Sequence, residues 1–103
     1  MEQFKLTRKE PLEKDIEAYG VRKFKAQGWV PEKYTSPAKR SVPDRIVFKS
    51  GGSMFFAEMK RPGGKATPLQ LKDHAKRRAM GFRVYVIDTR ELVDKVIAME
   101  RLL

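Results

Sequence analysis

Hydrophobic positions repeat with helical spacing near both ends of the chain and form strand-like runs in its middle. From about Pro11 to Ala26 the apolar positions recur close to every 3.6 residues, which predicts a first helix with proline in its first turn. These positions are Leu12, Ile16, Tyr19, the aliphatic stem of Lys23, and Phe24. Gly20 is expected to interrupt this helix and Gly28 to end it, because glycine is a weak helix former and a common C-terminal stop.

The middle of the chain is predicted to be extended. The segment from Trp29 to Thr35 indicates a short strand or edge segment, weakened by Pro31. Two apolar runs follow, Arg45 to Phe48 and Met54 to Ala57, with Gly51-Gly52 between them. Two such runs separated by glycines are typical of a β-hairpin.

A helix, a strand and a closing helix are predicted for the second half. Thr67-Pro68-Leu69-Gln70 has Thr as N-cap, Pro at the first helical position and Gln at the capping-box position. This helix is expected to run to about Met80 and to stop at Gly81. Phe82 to Ile87 is typical of a strand buried inside a sheet, and Glu91 to Leu103 predicts an amphipathic helix. The buried stripe of that last helix is expected to be Leu92, Val96 and Met99.

The order helix, three strands, helix, strand, helix predicts an α/β fold, a mixed sheet flanked by helices. With 103 residues the chain has room for one domain, so residues 1–103 are assigned to a single unit. Hydrophobic residues make up 41% of the sequence, which is enough for a small packed core.

Charge points to a polyanionic partner. Lys and Arg number 23 against 13 Asp and Glu, which gives a formal net charge of +10. The basic residues are spread along the chain, so a disordered basic tail does not account for the excess. This composition favours a folded nucleic-acid-binding protein.

The absence of cysteine excludes disulfides and thiolate metal sites. The first residues, Met1 to Lys5, lack the apolar core of a signal peptide. No apolar run approaches the ~20 residues that span a bilayer. We therefore expect a cytoplasmic protein that has no membrane partner.

The hairpin carries the candidate chemistry. Asp44 follows Pro43 at its first strand, and Glu58-Met59-Lys60 ends its second strand. Side chains two apart on a strand share a face, so Glu58 and Lys60 project together and Asp44 can face them. The two carboxylates and the backbone carbonyl of Met59 are oxygen ligands that suit Mg²⁺ or Mn²⁺, and the lysine could orient a water or stabilise phosphate oxygens. In the alternative interpretation, Asp44 caps a strand end and Glu58 and Lys60 form a solvated pair.

The spaced motifs together resemble the VRR-NUC family of the PD-(D/E)XK nucleases, in its compact stand-alone viral type. The residues that carry the resemblance are Lys33-Tyr34-Thr35-Ser36-Pro37, Val42-Pro43-Asp44-Arg45, Phe56-Ala57-Glu58-Met59-Lys60, Pro62-Gly63-Gly64-Lys65, Leu69-Gln70 and Gly81-Phe82-Arg83-Val84-Tyr85-Val86-Ile87-Asp88. The resemblance covers roughly residues 10–95 and implies an αβββαβ core. It also implies a location in the cytosol of a bacterium, including one that is the host of a phage.

The resemblance implies that Asp44 and Glu58 bind the metal and that Lys60 is the catalytic lysine. Gln70 matches a glutamine that borders the active site in the family, although the capping box explains it equally well. The family also expects a glutamate from the first helix, for which Glu13 and Glu17, one turn apart, both remain candidates.

One departure is visible in this chain. The family loop usually reads Gly-x-x-Asp, and Ser41 stands where the glycine is expected. A serine there removes no ligand, so the implied activity stands.

The candidates for phosphate contacts are basic side chains in the hairpin, in the loops before and after it, and in the second helix. For each single residue the alternative is a solvated position on the surface. They are Lys39, Arg40, Arg45, Lys65, Lys72 and Lys76, with Arg77 and Arg78 beside them. His74 is the only histidine, and with no cysteine to join it a zinc site is excluded. Packing on the helix surface is favoured for it over a role as general base.

The sequence therefore predicts a Mg²⁺- or Mn²⁺-dependent endodeoxyribonuclease. Its expected substrate is branched DNA such as a four-way (Holliday) junction, on which a homodimer would place two sites on opposed strands. Two alternatives remain: a non-catalytic nucleic-acid-binding module of the same fold, and a nuclease or nickase without junction preference.

Overall fold

A four-stranded mixed sheet with helices on both faces forms the framework of the protein. The computed structural model describes residues 12–103, so the predicted role of Pro11 in the first turn lies outside the described residues. The elements are α1 (Glu13–Ala26), β1 (Val30–Lys33), β2 (Arg45–Phe48), β3 (Met54–Met59), α2 (Pro68–Ala79), β4 (Val84–Ile87) and α3 (Arg90–Glu100). This arrangement confirms the predicted α/β fold class.

The strands lie in the order β1-β2-β3-β4. β1 pairs with β2 and β2 with β3 in antiparallel fashion, whereas β3 and β4 are parallel. Parallel neighbours need a crossover connection, and α2 provides it. The register pairs Arg45 with Ala57 and Phe48 with Met54, which confirms the predicted hairpin. It also makes Asp44, one residue before β2, the neighbour of Glu58 across the strands.

The main core lies on the sheet face that α1 and α3 cover. Alternate side chains of β3, Phe55, Ala57 and Met59, point into it and are fully buried. Ile16 and Phe24 of α1 contribute to the same core. The other face of β3, which carries Phe56 and Glu58, is the face that α2 covers. The hairpin strand thus separates an apolar core from a polar cluster.

Gly20 does not interrupt α1, contrary to the prediction. The helix continues through it, and a Cβ atom at this position would lie 3.0 Å from Met59 Cε. The glycine therefore permits a close approach of α1 to β3. Gly28 and Gly81 do follow helix ends as predicted, with φ of +83° and +95° that glycine adopts without strain.

Two other predictions fail in their details. The buried stripe of α3 consists of Val93, Val96, Ile97 and Glu100 rather than Leu92, Val96 and Met99, and Met99 is 51% exposed. β4 is an end strand among the described strands rather than an inner one. Its two end residues, Val84 and Ile87, are buried because helices cover the sheet faces. A run of hydrophobic residues in the sequence does not distinguish such a covered end strand from an inner one.

Glu100 anchors the end of α3 to the sheet. Its carboxylate is fully buried and accepts hydrogen bonds from Arg83 Nε at 2.6 Å, Tyr85 Oη at 2.6 Å and Lys49 Nζ at 3.0 Å. Lys49 Nζ also lies 5.3 Å from the centre of the Trp29 ring. This network joins residues from four separate parts of the chain. Among residues 12–103, no helix is long and apolar enough to cross a membrane.

Candidate active site

Asp44 and Glu58 lie side by side where β2 begins and β3 ends. Asp44 Oδ2 accepts a hydrogen bond from the Met59 N–H at 2.8 Å, and its backbone carbonyl accepts one from the Tyr34 N–H at 2.9 Å. These two bonds hold Asp44 between neighbouring segments of the sheet. The structure therefore brings together the two carboxylates that the sequence pattern singled out.

Glu58 is a carboxylate largely removed from water, with 2% of the residue exposed. Its Oε2 atom accepts a hydrogen bond from Gln70 Nε2 at 3.1 Å and lies 3.6 Å from Lys60 Nζ. Burial, and then the negative charge of Asp44, raise the pKa of Glu58 to about 7, although Lys60 acts in the opposite direction. A cation at this position would favour the ionised carboxylate and so oppose the effects of burial and of the Asp44 charge.

Gln70 makes the capping-box contacts and also contacts Glu58. Its Oε1 accepts from the Thr67 N–H at 2.9 Å, while the Gln70 N–H donates to Thr67 Oγ1 at 3.2 Å, which completes the capping box. Its Nε2 is the group that donates to Glu58. One end of the amide thus fixes the start of α2, and the other end reaches the carboxylate.

The donor set suits a hard divalent cation such as Mg²⁺ or Mn²⁺. Asp44 and Glu58 supply carboxylate oxygens, and Glu58 Oε1 is buried with no hydrogen-bond partner among the residues that the structure describes. Met59, whose carbonyl was predicted as a ligand, is the last residue of β3, and its buried side chain lies on the opposite face of the sheet. No group of three or more His, Asp or Glu side chains gathers to hold a metal within residues 12–103. Backbone carbonyl, water or phosphate oxygens would have to complete the coordination, as is usual for Mg²⁺.

The glutamates of α1 lie apart from this pair. Glu17 Oε2 is 2.9 Å from both Nε and Nη2 of Arg45, which also donates to the Pro31 carbonyl at 3.1 Å. Arg45, predicted to contact nucleic acid, therefore uses its guanidinium within the fold. Glu13 is exposed in the first turn of α1. In this structure neither glutamate joins Asp44 and Glu58.

Exposed lysines and an arginine line two cavities near α2 and the loop before β2. A cavity of about 490 Å³ lies between that loop and α2, and one of about 310 Å³ includes Asp44 in its lining. Between them the cavities are lined by the predicted phosphate-binding residues Lys39, Arg40, Lys72 and Lys76. Lys65 is exposed in the loop between β3 and α2. The phosphate backbone of a nucleic acid could thus approach Asp44 along positively charged side chains.

The loop before β2 is attached to α2 through a buried aspartate. Asp73 is 4% exposed and pairs with Arg77 Nε at 2.7 Å and Lys39 Nζ at 3.4 Å. Burial alone would raise the pKa of Asp73, but the hydrogen bond and the charge of Arg77 outweigh it, so the pKa is lowered. Arg77 lies over the rings of Phe56 and Tyr34, which place its guanidinium within the fold rather than in the solvent.

His74 does not lie on the helix surface, where the sequence interpretation put it. It is fully buried, and its Nε2 atom lies 3.8 Å from Glu58 Oε1. Burial, and then the positive charge of Arg78, lower the pKa of His74. The spacing of four residues between Gln70 and His74, which puts both on one helix face, was the sequence signal for this position.

Comparisons with known proteins agree with the geometry. No family model matches the sequence. The chain is 41% identical to "Putative nuclease p44" of Acyrthosiphon pisum secondary endosymbiont phage 1 over 80 aligned residues. The alignment covers 78% of this chain and 86% of the phage protein. A solved structure of a "VRR_NUC domain" matches with a TM-score of 0.79 and 30% identity, over 84% of this chain and 94% of that one.

Proposed function

Since this chain belongs to the VRR-NUC family of nucleases, we propose that it is a Mg²⁺- or Mn²⁺-dependent endonuclease that hydrolyses phosphodiester bonds in branched DNA. The observation that carries the metal dependence is the buried Glu58 carboxylate, crowded by Asp44 and flanked by Lys60 at 3.6 Å. Two close carboxylates that share one site repel each other unless a proton or a cation lies between them.

In this proposal each residue of the site has a separate task. Asp44 and Glu58 would hold the cation, which when bound would offset charge on the scissile phosphate and activate a water. Lys60 orients that water or stabilises the phosphate oxygens through its ammonium group. Gln70 restricts the rotation of Glu58 through its hydrogen bond to Oε2. The Asp44 carboxylate is held in place by the Met59 N–H.

Branched DNA as the substrate rests on size and charge. The chain combines a +10 net charge with a single Asp44–Glu58 pair, so one copy would cut one strand. A homodimer would place two such pairs on opposed strands of a four-way junction, as two-fold symmetry requires. Gel filtration at the working concentration tests this arrangement, and a monomer there would contradict it.

The cleavage test compares a synthetic four-way junction with supercoiled plasmid, each in Mg²⁺ and in EDTA. Wild-type protein should cut the junction in Mg²⁺ but not in EDTA. Glu58→Ala and Lys60→Ala should each lower the cleavage rate by about 100-fold or more. Glu91→Ala and Lys95→Ala, which alter exposed carboxylate and ammonium groups on α3, are the matched controls and should cut normally.

Each other outcome has a definite meaning. Equal cutting by wild type and both site variants would show that the site is assigned wrongly. Binding in EDTA without cleavage under any divalent metal would identify a non-catalytic binding module. Equal cleavage of plasmid and junction would indicate a nuclease without junction preference.

A further inference from the structure

α2 presents two side chains to the same carboxylate. Gln70 and His74 are four residues apart and therefore lie on one face of the helix. The amide of Gln70 donates to Glu58 Oε2 at 3.1 Å, and His74 Nε2 lies 3.8 Å from Glu58 Oε1. The helix thus offers one nitrogen to each oxygen of Glu58, but only the first pair is within hydrogen-bond distance.

Glu58 Oε1 and His74 Nε2, the two atoms that face each other at 3.8 Å, are both buried. Within residues 12–103, Glu58 Oε1, His74 Nδ1 and His74 Nε2 have no hydrogen-bond partner, and the histidine is fully buried. Buried side-chain polar atoms are paired in the large majority of cases, so each exception needs a physical explanation, such as a catalytic role or a bound ion. A movement of roughly 0.8 Å would bring His74 Nε2 and Glu58 Oε1 to a hydrogen-bond distance of about 3.0 Å.

Building on the nuclease site proposed above, we propose that His74 is a positioning residue: its Nε2–H donates to Glu58 Oε1 and orients that carboxylate for the metal. The neutral imidazole carries one N–H and one lone pair, so it can donate to the carboxylate without adding charge. Gln70 and His74 would then hold one oxygen each. Partners that orient a metal ligand in this way commonly change metal affinity or activity by about 10–100-fold when they are replaced.

Two substitutions distinguish positioning from simple filling of the core. His74→Phe keeps a planar ring of similar size and removes both nitrogens. His74→Gln loses the ring but supplies an amide N–H that can take the place of Nε2–H. If His74 only fills space, the Mn²⁺ affinity and cleavage rate of His74→Phe should be closer to those of wild type than the values of His74→Gln. If His74 positions Glu58, His74→Gln should be the variant closer to wild type.

The first measurement is Mn²⁺ binding by isothermal titration calorimetry in the absence of DNA, together with cleavage as a function of Mg²⁺ concentration. His74→Phe should weaken Mn²⁺ binding by about 10–100-fold while circular dichroism shows an intact fold, and His74→Gln should recover part of the loss. Mn²⁺ affinity of His74→Phe within twofold of wild type would overturn the proposal.

The second measurement has its main readout in the wild-type protein, and Glu58→Ala serves as its control. His74 is the only histidine, so ¹⁵N-labelled imidazole gives one set of signals. On addition of Mg²⁺, the Nε2–H proton should shift downfield and exchange more slowly with water, and Glu58→Ala should abolish both changes. An imidazole whose signals do not respond to Mg²⁺ would refute the hydrogen bond. Because this readout needs no cleavage, a protein that cuts no DNA would refute the proposed function alone.

Discussion

We expect Glu100→Ala to lower the free energy of unfolding by about 3 kcal/mol, the lower end of the range for breaking a buried ion pair. The glutamate is fully buried, so the substitution leaves its three donors without their acceptor. Lys49 determines most of the loss, because its side chain is 7% exposed and has little access to water.

Two features keep the expected loss from the upper end of the range. Arg83 is 34% exposed in its side chain, so water can replace part of what it loses. Lys49 Nζ also donates to the backbone carbonyl of residue 100 at 2.6 Å, and this bond survives the substitution. For a domain with 5–15 kcal/mol of stability, a loss of about 3 kcal/mol lowers the melting temperature by roughly 12–24 °C.

Urea unfolding followed by circular dichroism and by the fluorescence of Trp29 measures this loss. Glu91→Ala is the matched control, because Glu91 is an exposed acidic residue in the first turn of the same helix. A carboxylate at this position is worth about 1 kcal/mol or less. Losses for Glu100→Ala and Glu91→Ala that agree within about 1 kcal/mol would refute the reasoning.

The pH dependence of the same loss follows from the pKa of Glu100. Burial alone would raise this pKa, but the hydrogen bonds from Arg83, Tyr85 and Lys49 outweigh it and lower the pKa. A lowered pKa contributes stability above the unfolded value of about 4.3, and this contribution disappears as the pH falls through the folded value. The difference in the free energy of unfolding between wild type and Glu100→Ala should therefore become smaller below about pH 4.

Three further predictions concern the site and its surroundings. In EDTA, Glu58→Gln should gain stability over wild type as the pH rises from about 4.3 through about 7, because the raised pKa of Glu58 makes its ionised form destabilising. Melting temperatures of both proteins at pH 5 and pH 8 measure this gain. The same difference in melting temperature between Glu58→Gln and wild type at both pH values would contradict the prediction. Thr67→Ala should cost about 1 kcal/mol in urea unfolding through loss of the α2 N-cap, and Thr67→Ser should restore it; an unchanged midpoint for the alanine variant would contradict the role of the cap. Lys72→Ala and Lys76→Ala should each reduce the slope of log affinity against log salt for duplex DNA in EDTA by about 0.9, whereas Lys95→Ala on α3 should not. Equal slopes in all three variants would show that Lys72 and Lys76 do not contact DNA phosphates.

Local patterns account for the predictions that the structure confirms. The hairpin follows from two apolar runs around Gly51-Gly52, since strand pairing across a short turn depends on neighbouring residues. The start of α2 follows from Thr67, Pro68 and Gln70, because an N-cap needs only residues three positions apart. Such features need no knowledge of the rest of the fold.

The errors concern positions whose surroundings come from distant parts of the chain. Gly20 is tolerated in α1 because Met59 packs against it, and the helix-breaking tendency of glycine is outweighed by that contact. Glu100 replaces Met99 in the buried stripe of α3 because Lys49, Arg83 and Tyr85 meet there. No periodic pattern marks a glutamate for burial, since burial of a charge depends on its partners.

The sequence by itself determined the order of helices and strands, the capped start of α2 and the proximity of Asp44 to Glu58 across one hairpin. These properties depend on short-range spacing and on strand alternation. Only the tertiary structure decided that Glu58 is removed from water with His74 against it, and that Glu17 pairs with Arg45 rather than joining the two carboxylates. Desolvation and ion pairing depend on which side chains packing brings together, so the electrostatic state of the carboxylate emerges only when α2 closes over β3.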